Sequence, residues 1–308
     1  MKVFVLAPQE DWICDRLAKE WYESFPEIST QNPYEADVIW ILAGWCWNHL
    51  PQDLLRSKKV IVTEHHIVPE KFNVLKHQDF VNRDQFVDAY HVFNEKTKIL
   101  LTQITKKDIK VIPYWCNDNL WIPSDKIESR KKLSLDLNKF YIGSFQRDTE
   151  GFDLKTPKLE KGPDLFCDYL IRNRSKFEEN KKMHVILGGF RRQYVKKRLE
   201  EENIEYTLYE KVDLETVRML YTSCDLYIVS SRIEGGPQAI IEASSMKVPL
   251  ISTDVGIAKS ILSENCIIDI NKDFYLPNEK DINYAFQKIR QFCIKDHGNQ
   301  FIKFFNCL

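Results

Sequence analysis

The sequence lacks an excess of charge of either sign and lacks a long apolar run. Lys and Arg number 44 against 45 Asp and Glu, so the formal net charge is -1. Because nucleic-acid binders normally carry a strong basic excess, we expect no nucleic-acid partner. The longest apolar run covers residues 38–47, about half of the ~20 residues that a spanning helix needs. We therefore predict no transmembrane segment, although peripheral membrane contact stays open.

Paired cysteine motifs and a signal-peptide pattern are also missing. The eight cysteines are scattered, with no CxxC pair and no cluster with histidine. Such a pattern favours buried or free thiols in a reducing compartment over a disulfide framework or a zinc site. The predicted location is the cytoplasm.

Glycine is scarce in the first half, where Gly44 alone precedes residue 143. Six of the later glycines fall where a predicted strand gives way to a turn: Gly143, Gly188, Gly189, Gly235, Gly236 and Gly256. Glycines in such turns let backbone N–H groups approach a phosphate at a helix N-terminus. The second half is therefore predicted to hold a nucleotide and the first half to face its partner. The alternative is that these are ordinary turn glycines.

Short apolar runs alternate with amphipathic stretches along the whole chain. We predict strands at 2–7, 37–43, 59–64, 89–94, 109–114, 139–144, 183–189, 206–211, 225–231, 249–254 and 266–270. Runs of this length without alternation fit parallel sheets covered on both faces, and the order predicts two α/β domains. The polar segment 116–138 suggests domains at 1–120 and 121–308, with the last helix, about 286–308, packing back on the first. The basic runs at 130–132 and 190–199 are interpreted as solvated helix faces.

Two glutamates flank a glycine pair after the strand at 225–231. Pro237 suits the first position of a following helix. The backbone N–H groups of Gly235, Gly236 and Gln238 would then form an anion site at the positive end of that helix. Glu234 precedes this site and Glu242 follows it. Carboxylates beside a phosphate need donors, and vicinal sugar hydroxyls supply them. The pattern thus fits a nucleotide-sugar; alternatively Glu234 is a helix-entry charge and Glu242 is merely exposed.

The stretch "SSRIEGGPQAIIEASSMKVPLISTDVG" (230–256) resembles the C-terminal signature of retaining glycosyltransferases with the GT-B fold, family 4 (group 1). The stretches "FYIGSFQRD", "EKGPDLF", "MHVILGG" and "VRMLYTSCDLYIVSS" extend the similarity over most of the second half. The resemblance implies an α/β protein with two Rossmann-like domains whose parallel sheets face each other across a cleft.

The resemblance also implies roles for individual residues. Glu242 would hold the ribose, and Glu234 the hydroxyls of the donor sugar. Arg147 and Lys161 would neutralise the diphosphate, whose departure builds charge that fixed cations stabilise. The remaining donor-side positions are Gly143, Gly235, Gly236, Pro237 and Gln238, with Lys211 and Val212 receiving the base. The segment 148–160 is longer than is usual in this family, so Lys155 and Lys158 are alternatives to Lys161.

The first domain is harder to interpret. Glu64, His65 and His66 follow a strand, and the resemblance favours His66 over His65 as the histidine that touches the donor sugar; the alternative is a histidine satisfied in the core. We expect Trp40 in the core, whereas Trp45 and Trp47 either stack on a sugar or pack internally. A Gly-Gly loop common in the family is replaced here by "LAPQEDWICDRL". Its Asp11, Trp12 and Asp15 are candidates to face the acceptor.

These observations predict a transferase that moves a hexose-type sugar from a UDP- or GDP-sugar to a hydroxyl of a glycan, lipid-linked or small-molecule acceptor, with retention at the anomeric carbon. No side chain stands out as a nucleophile, which favours front-face displacement. No cofactor and no metal are expected, since no DxD motif lies at a strand end and Arg and Lys would replace the cation. The alternatives are a nucleotide-sugar epimerase with the same fold and a non-catalytic sugar-binding module.

Overall fold

The computed structural model describes residues 1–10 and 13–308, so the candidates Asp11 and Trp12 lie outside the described residues. Two compact units are present. Unit 1 comprises Met1–Asn117 together with Cys293–Leu308, and unit 2 comprises Asp118–Phe292.

Unit 1 is built on a five-stranded parallel sheet whose strands stand in chain order, β1-β2-β3-β4-β5. The strands are β1 Val3–Leu6, β2 Val38–Ile41, β3 Lys59–Thr63, β4 Ala89–Val92 and β5 Asp108–Val111. The helices are α1 Ile13–Ser24, α2 Gln52–Ser57, α3 Val74–Asp84, α4 Glu95–Leu101 and, at the C-terminus, α13 Ile294–Asn306.

The core of unit 1 is rich in aromatic rings. They pack around β2, which is buried along its whole length. Trp40 lies in this core, as expected, with its ring centroid 5.2 Å from that of Trp21 in α1 and 5.1 Å from that of Phe301 in α13. Buried aromatic pairs in such tilted and edge-to-face arrangements contribute packing energy beyond their buried area. The C-terminal helix is therefore an integral part of the core of unit 1.

Unit 2 contains a second five-stranded parallel sheet, ordered β10-β9-β6-β7-β8. The strands are β6 Phe140–Ser144, β7 Met183–Gly188, β8 Glu205–Tyr209, β9 Leu226–Val229 and β10 Leu250–Ser252. The helices are α5 Lys126–Lys132, α6 Pro163–Arg172, α7 Arg174–Phe177, α8 Gln193–Glu201, α9 Leu214–Ser223, α10 Gln238–Ser245, α11 Ala258–Ile261 and α12 Glu279–Ile289.

The strand order of unit 2 reverses at β6. From β6 the chain moves through β7 to β8 on one side, and then returns to β9 on the other side. Ligands of open α/β sheets bind outside the carboxyl ends of the strands at such a reversal. The loops that follow β6 and β9 are therefore the expected location of a ligand site.

The two predicted parallel α/β sheets are confirmed, but three local predictions are wrong. The strand at 266–270 is reduced to a bridge between Ser252 and Ile267, because a turn begins at Asp269, whose side chain accepts the Asn271 N–H and competes with a ladder. Pro237 is the cap of α10 rather than its first residue, since its ψ of 110° is extended.

The third error is that the interpretation of both basic runs as solvated faces fails for one arginine in each run, although Lys131, Lys132 and Lys197 are exposed. Arg130 and Arg192 are buried within them. Arg130 donates to Ser223 O at 2.8 Å and to an Asp225 carboxylate oxygen at 2.6 Å. Each buried guanidinium is thus paired and hydrogen-bonded, as a buried charge requires.

Two further properties bear on function. All eight cysteines are free thiols. Among the described residues, no helix combines the length and apolar character needed to cross a bilayer.

Candidate functional site

Two loops of unit 2 meet at the carboxyl ends of β6 and β9. We call residues 145–162 the β6–α6 loop and residues 230–237 the β9–α10 loop. Gly162 has a φ of +61°, and a Cβ there would lie 1.9 Å from the carbonyl oxygen of Ser230. The Ser230 hydroxyl in turn donates to Gly162 O at 2.8 Å. Only glycine permits this backbone conformation and this approach together, so Gly162 joins the two loops.

The junction brings a cation and a carboxylate together. Lys161 donates from Nζ to Oε1 of Glu234, and both side chains are largely buried. The Ser231 hydroxyl donates to the same carboxylate oxygen at 3.2 Å, and Gln146 Nε2 donates to Lys161 O at 2.7 Å. Two of the residues predicted to serve catalysis, 73 positions apart in sequence, are therefore in direct contact.

The other two lysines of the β6–α6 loop are placed differently. Lys158 forms an ion pair with Glu160 at 3.8 Å. Lys155 is exposed at the tip of a short hairpin formed by the long segment, where Thr149 and Pro157 form an antiparallel bridge. The contact with Glu234 favours Lys161 as the lysine of the site.

The β9–α10 loop has a tightly packed backbone at the start of α10. Gly256, with a φ of +55°, packs so closely that a Cβ there would lie 2.5 Å from Gly235 O and 2.6 Å from Pro237 Cδ. Gly235 and Pro237 are buried, whereas Gly236 and Gln238 are half-buried. The N-terminal end of α10, which carries unpaired N–H groups and positive dipole charge, thus lies next to Glu234.

Glu242 lies inside α10 and is only 5% exposed. It accepts a hydrogen bond of 2.7 Å from the Tyr221 hydroxyl on α9. Burial raises the pKa of Tyr221 well above its ordinary range, so the phenol stays protonated and keeps donating. The alternative reading of Glu242 as a merely exposed residue is wrong.

The remaining predicted donor-side residues are spread around the same sheet edge. Arg147 is half-buried in the β6–α6 loop, and Val212 is half-buried after β8. Lys211 is exposed with its ammonium 5.8 Å from the centre of the Phe190 ring. Gly143 lies within β6, where a Cβ would meet Cys224 Sγ at 2.6 Å. The need for glycine at 143 is therefore explained by strand packing.

Sequence reasoning missed the residue that anchors this edge. Arg192 is 1% exposed and forms an ion pair of 2.9 Å with the buried Asp148. Its guanidinium also donates to the carbonyl oxygens of Gly188, at 2.9 Å, and Ser144. It therefore binds the carboxyl ends of β6 and β7 to each other. An arginine pair one residue after a Gly-Gly turn was the available signal, but charge alone does not distinguish a buried guanidinium from a solvated one.

In unit 1, His65 and His66 follow β3 as predicted, and both are half-buried. His65 Nε2 lies 2.7 Å from Leu42 O, and Nδ1 lies 3.3 Å from the Tyr114 hydroxyl. Because a carbonyl only accepts, Nε2 carries the proton and Nδ1 accepts from tyrosine. His65 is thus held inside its unit. Asp15 accepts the backbone N–H groups of Gln9 and Glu10 at 2.8 and 3.0 Å, which ties α1 to the residues that follow β1.

The described residues 1–10 and 13–308 contain no group of three or more His, Cys, Asp or Glu side chains placed to hold a metal ion.

Comparison with known proteins shows what the chain resembles. Residues 154–293 match the family model described as Glycosyl transferases group 1. No curated protein is significantly similar to the chain.

Solved structures match over nearly the whole chain. Anabaena Alr3699/HepE in complex with UDP-glucose superposes with a TM-score of 0.77 at 16% identity, covering 99% of each chain. Sucrose-phosphate synthase from Thermosynechococcus elongatus gives a TM-score of 0.66 at 15% identity, covering 98% of this chain and 80% of that one. The pneumococcal O-GlcNAc transferase GtfA in complex with UDP and GlcNAc gives 0.55 at 14% identity, covering 87% and 56%. The predicted GT-B fold is confirmed.

Proposed function

We propose that this chain, whose residues 154–293 match the family model described as Glycosyl transferases group 1, moves a hexose-type sugar from a UDP-sugar to an acceptor hydroxyl, with retention at the anomeric carbon. The observation that carries the proposal is the contact between Lys161 and Glu234 where the strand order of unit 2 reverses. UDP is favoured because two structurally similar proteins were solved with it: HepE in complex with UDP-glucose, and GtfA in complex with UDP and GlcNAc. A GDP-sugar is the alternative.

The proposed binding mode follows from charge and hydrogen-bonding capacity. The diphosphate lies at the N-terminus of α10 and takes Lys161 as its counterion, with Arg147 as a second cation. Glu234, released from Lys161, accepts hydroxyl hydrogens of the donor sugar. Glu242, oriented by Tyr221, accepts the ribose hydroxyls. Donor binding thus exchanges the Lys161–Glu234 ion pair for two interactions with the donor.

The proposed chemical step is a front-face displacement. The acceptor oxygen attacks the anomeric carbon on the side from which the diphosphate leaves, and the departing phosphate oxygen takes the acceptor proton. Lys161 and Arg147 stabilise the charge that grows on the leaving group. Because these side chains supply the positive charge, transfer is expected to continue in excess EDTA. A glycan, lipid-linked or small-molecule acceptor is compatible with this step.

The donor is tested by thermal unfolding with UDP-, GDP- and ADP-sugars. A ligand present at 100 times its dissociation constant stabilises the folded protein by about 2.7 kcal/mol, so the correct donor gives a clear shift. Glu242→Gln should reduce that shift, whereas Glu179→Gln, a change in an exposed glutamate of the same unit, should not. If no nucleotide-sugar raises the melting temperature, the proposal is wrong.

The reaction class is tested by incubating the enzyme with donor alone and then with candidate acceptors. Transfer predicts a new glycoside only when the acceptor is present. Isomerised sugar formed without an acceptor would instead establish an epimerase. Stabilisation by a donor without any turnover across the acceptor panel would favour the binding module.

A further inference from the structure

The hydroxyl of Ser231 lies beside the Lys161–Glu234 contact and is fully buried. Three oxygen atoms of the described residues lie near its Oγ: Glu234 Oε1 and Gln146 Oε1 at 3.2 Å, and Lys161 O at 3.4 Å. Each of these oxygens accepts hydrogen bonds, whereas a serine hydroxyl has a single hydrogen to donate. Because a charged acceptor forms the stronger bond, the hydrogen is donated to Glu234.

The orientation of Gln146 follows from its contact with the main chain. Its side-chain nitrogen Nε2 donates to Lys161 O at 2.7 Å. Because a carbonyl oxygen only accepts, the amide nitrogen must face Lys161 and the amide oxygen must face Ser231. Gln146 therefore offers Ser231 a neutral acceptor and no hydrogen. The Ser231 hydroxyl, and not the Gln146 amide, is the group that reaches Glu234.

The main chain on both sides of Lys161 is held by the β9–α10 loop. The backbone N–H groups of Arg232 and Ile233 donate to Glu160 O at 2.8 and 3.1 Å. Gly162, the residue after Lys161, packs on the same loop. The backbone of Lys161 is thus fixed between two attached neighbours, whereas its ammonium is carried on a flexible four-carbon stem. Exchange of its partner requires a side-chain movement only.

Ser231 keeps its place independently of the Lys161 side chain. Thr253, which directly follows β10, donates from its hydroxyl to Ser231 O at 2.5 Å. The backbone N–H of Thr253 donates to Val229 O at 3.0 Å, which ties the end of β9 to β10. When the ammonium of Lys161 turns to a diphosphate, the Ser231 hydroxyl therefore stays within reach of Glu234.

We propose that Ser231 is a positioning residue, which holds the Glu234 carboxylate in place for the donor sugar after Lys161 has moved to the diphosphate. This inference rests on the proposed function, in which Glu234 accepts hydroxyl hydrogens of that sugar. A largely buried carboxylate that loses its counterion needs another donor, because a buried charge without one is costly. Ser231 supplies that donor, and its bond to Oε1 also fixes the direction in which the carboxylate faces.

The test removes the hydrogen bond with Ser231→Ala and measures the binding of UDP and of a UDP-sugar by calorimetry. The UDP-sugar is whichever of UDP-glucose and UDP-N-acetylglucosamine binds the wild type more tightly. In the UDP complex water takes the place of the sugar and solvates Glu234, so the dissociation constant of UDP should stay close to the wild-type value. That of the UDP-sugar should rise about tenfold or more, the scale of a hydrogen bond to a charged group.

Two further variants separate the hydrogen bond from packing. Ser231→Cys fills nearly the same volume with a thiol, which donates only weakly, so its affinity for the UDP-sugar should resemble that of Ser231→Ala. Ser245→Ala removes another buried hydroxyl of unit 2, one that donates to Trp121 O at 2.7 Å, and should keep the wild-type affinities for both ligands. Wild-type affinity for the UDP-sugar in Ser231→Cys would show that filling the volume is sufficient and would overturn the proposal.

A double-mutant cycle determines whether Ser231 acts through Glu234. In the Glu234→Ala background, the further change Ser231→Ala should leave the dissociation constant of the UDP-sugar unaltered, because the carboxylate that it supports is gone. Equal losses of affinity in both backgrounds would instead indicate a general structural role and would overturn the proposal. A loss of UDP affinity in Ser231→Ala as large as the loss for the UDP-sugar would have the same meaning.

The failure of this proposal and that of the transferase proposal have different signatures. Binding of the UDP-sugar that survives Ser231→Ala unchanged removes the positioning role alone and leaves the transferase. Absence of binding of UDP and of both UDP-sugars in the wild type removes the donor site on which the two proposals rest.

Discussion

The two units share a five-stranded parallel sheet but use its carboxyl edge differently. In unit 1 the described strands stand in chain order, whereas in unit 2 the order reverses between β6 and β9. Both edges carry an ion pair. In unit 1 it joins Glu64 to the buried Arg83, and in unit 2 it joins Glu234 to Lys161. The informative difference is the residue type of the cation, which is arginine in unit 1 and lysine in unit 2.

A guanidinium and an ammonium suit different tasks at such an edge. Arg83 packs against the rings of Phe80 and Tyr90 and donates in a fixed planar geometry, so its carboxylate partner stays in place. Lys161 is a point charge on a flexible stem, which exchanges one anion for another at lower cost. We therefore interpret the pair in unit 1 as a permanent support and the pair in unit 2 as one that opens for a diphosphate.

The largest effect is expected where the edge of unit 2 is anchored. Arg192→Ala leaves Asp148 buried without its counterion, which costs about 3–5 kcal/mol in the free energy of unfolding. Urea denaturation followed by circular dichroism measures this. The control is Lys197→Ala, in the same region but with an exposed side chain, which should change the value little. A loss of similar size in both variants would contradict an anchoring role.

The proposed exchange of the Lys161–Glu234 ion pair for a diphosphate is tested by Lys161→Ala. Removal of a cation that stabilises a developing charge should lower kcat about 10²–10³-fold, while the fold is retained because Lys161 lies in a loop. Initial rates of UDP release at saturating donor and acceptor measure it. Lys155→Ala, in the exposed tip of the same loop, should keep wild-type rates. Equal losses of kcat in the two variants would show that the rate depends on the total positive charge of the loop and not on the Lys161–Glu234 contact.

Acid should weaken unit 1 through a histidine that is buried in neutral form. His91 Nε2 donates to Ile112 O at 2.7 Å, and Nδ1 accepts from the Thr63 hydroxyl at 2.9 Å. Burial lowers the pKa of His91 from 6.5 to about 3. Below pH 6.5 the unfolded chain therefore binds a proton that the folded chain excludes, so stability falls as pH falls.

Between pH 7 and pH 5 the titration of His91 lowers the free energy of unfolding by about 2 kcal/mol. Urea unfolding at both pH values measures it for the full chain. His91→Gln retains hydrogen-bonding groups but does not titrate, so its pH dependence should be shallower over that range. His297 in the same unit also has a lowered pKa through burial and should account for part of the slope that remains. An unchanged slope in His91→Gln would contradict the assignment.

The smallest effect is expected from removing the hydrogen bond by which Tyr221 supports Glu242. Tyr221→Phe removes one hydrogen bond from a buried carboxylate, worth about 1 kcal/mol, so UDP should bind roughly fivefold more weakly in calorimetry. Tyr209→Phe is the matched change, because that hydroxyl makes only a long contact of 3.5 Å with Leu133 O. Unchanged affinity in Tyr221→Phe would indicate that Glu242 is not oriented by this phenol.

Much of the fold was predictable because both sheets are buried on two faces. Continuous apolar runs such as residues 37–43 and 225–231 leave few alternatives to a parallel strand, and they were found within a few residues of β2 and β9. The strand at 266–270 was the exception. Its pattern is apolar, but a turn at Asp269 uses the local polar groups and leaves a single bridge.

The site was predictable in residue type and less so in geometry. Glu234, Glu242 and the Gly-Gly turn could be recognised because they are close in sequence, around one strand-to-helix connection. The choice among Lys155, Lys158 and Lys161 required the structure, since the contact with Glu234 depends on how a long loop folds. Tyr221 and Arg192 could not be assigned, because a hydroxyl or guanidinium reveals its partner only in three dimensions.

The amino-acid sequence by itself determined the two α/β units and the strand-to-helix turn with its two carboxylates, because local periodicity and turn chemistry depend on neighbours a few residues apart. Tertiary structure alone decided which cation meets Glu234, which arginines are buried and which tryptophan is exposed. Those outcomes depend on strand order and on desolvation, and both arise from residues distant in the chain.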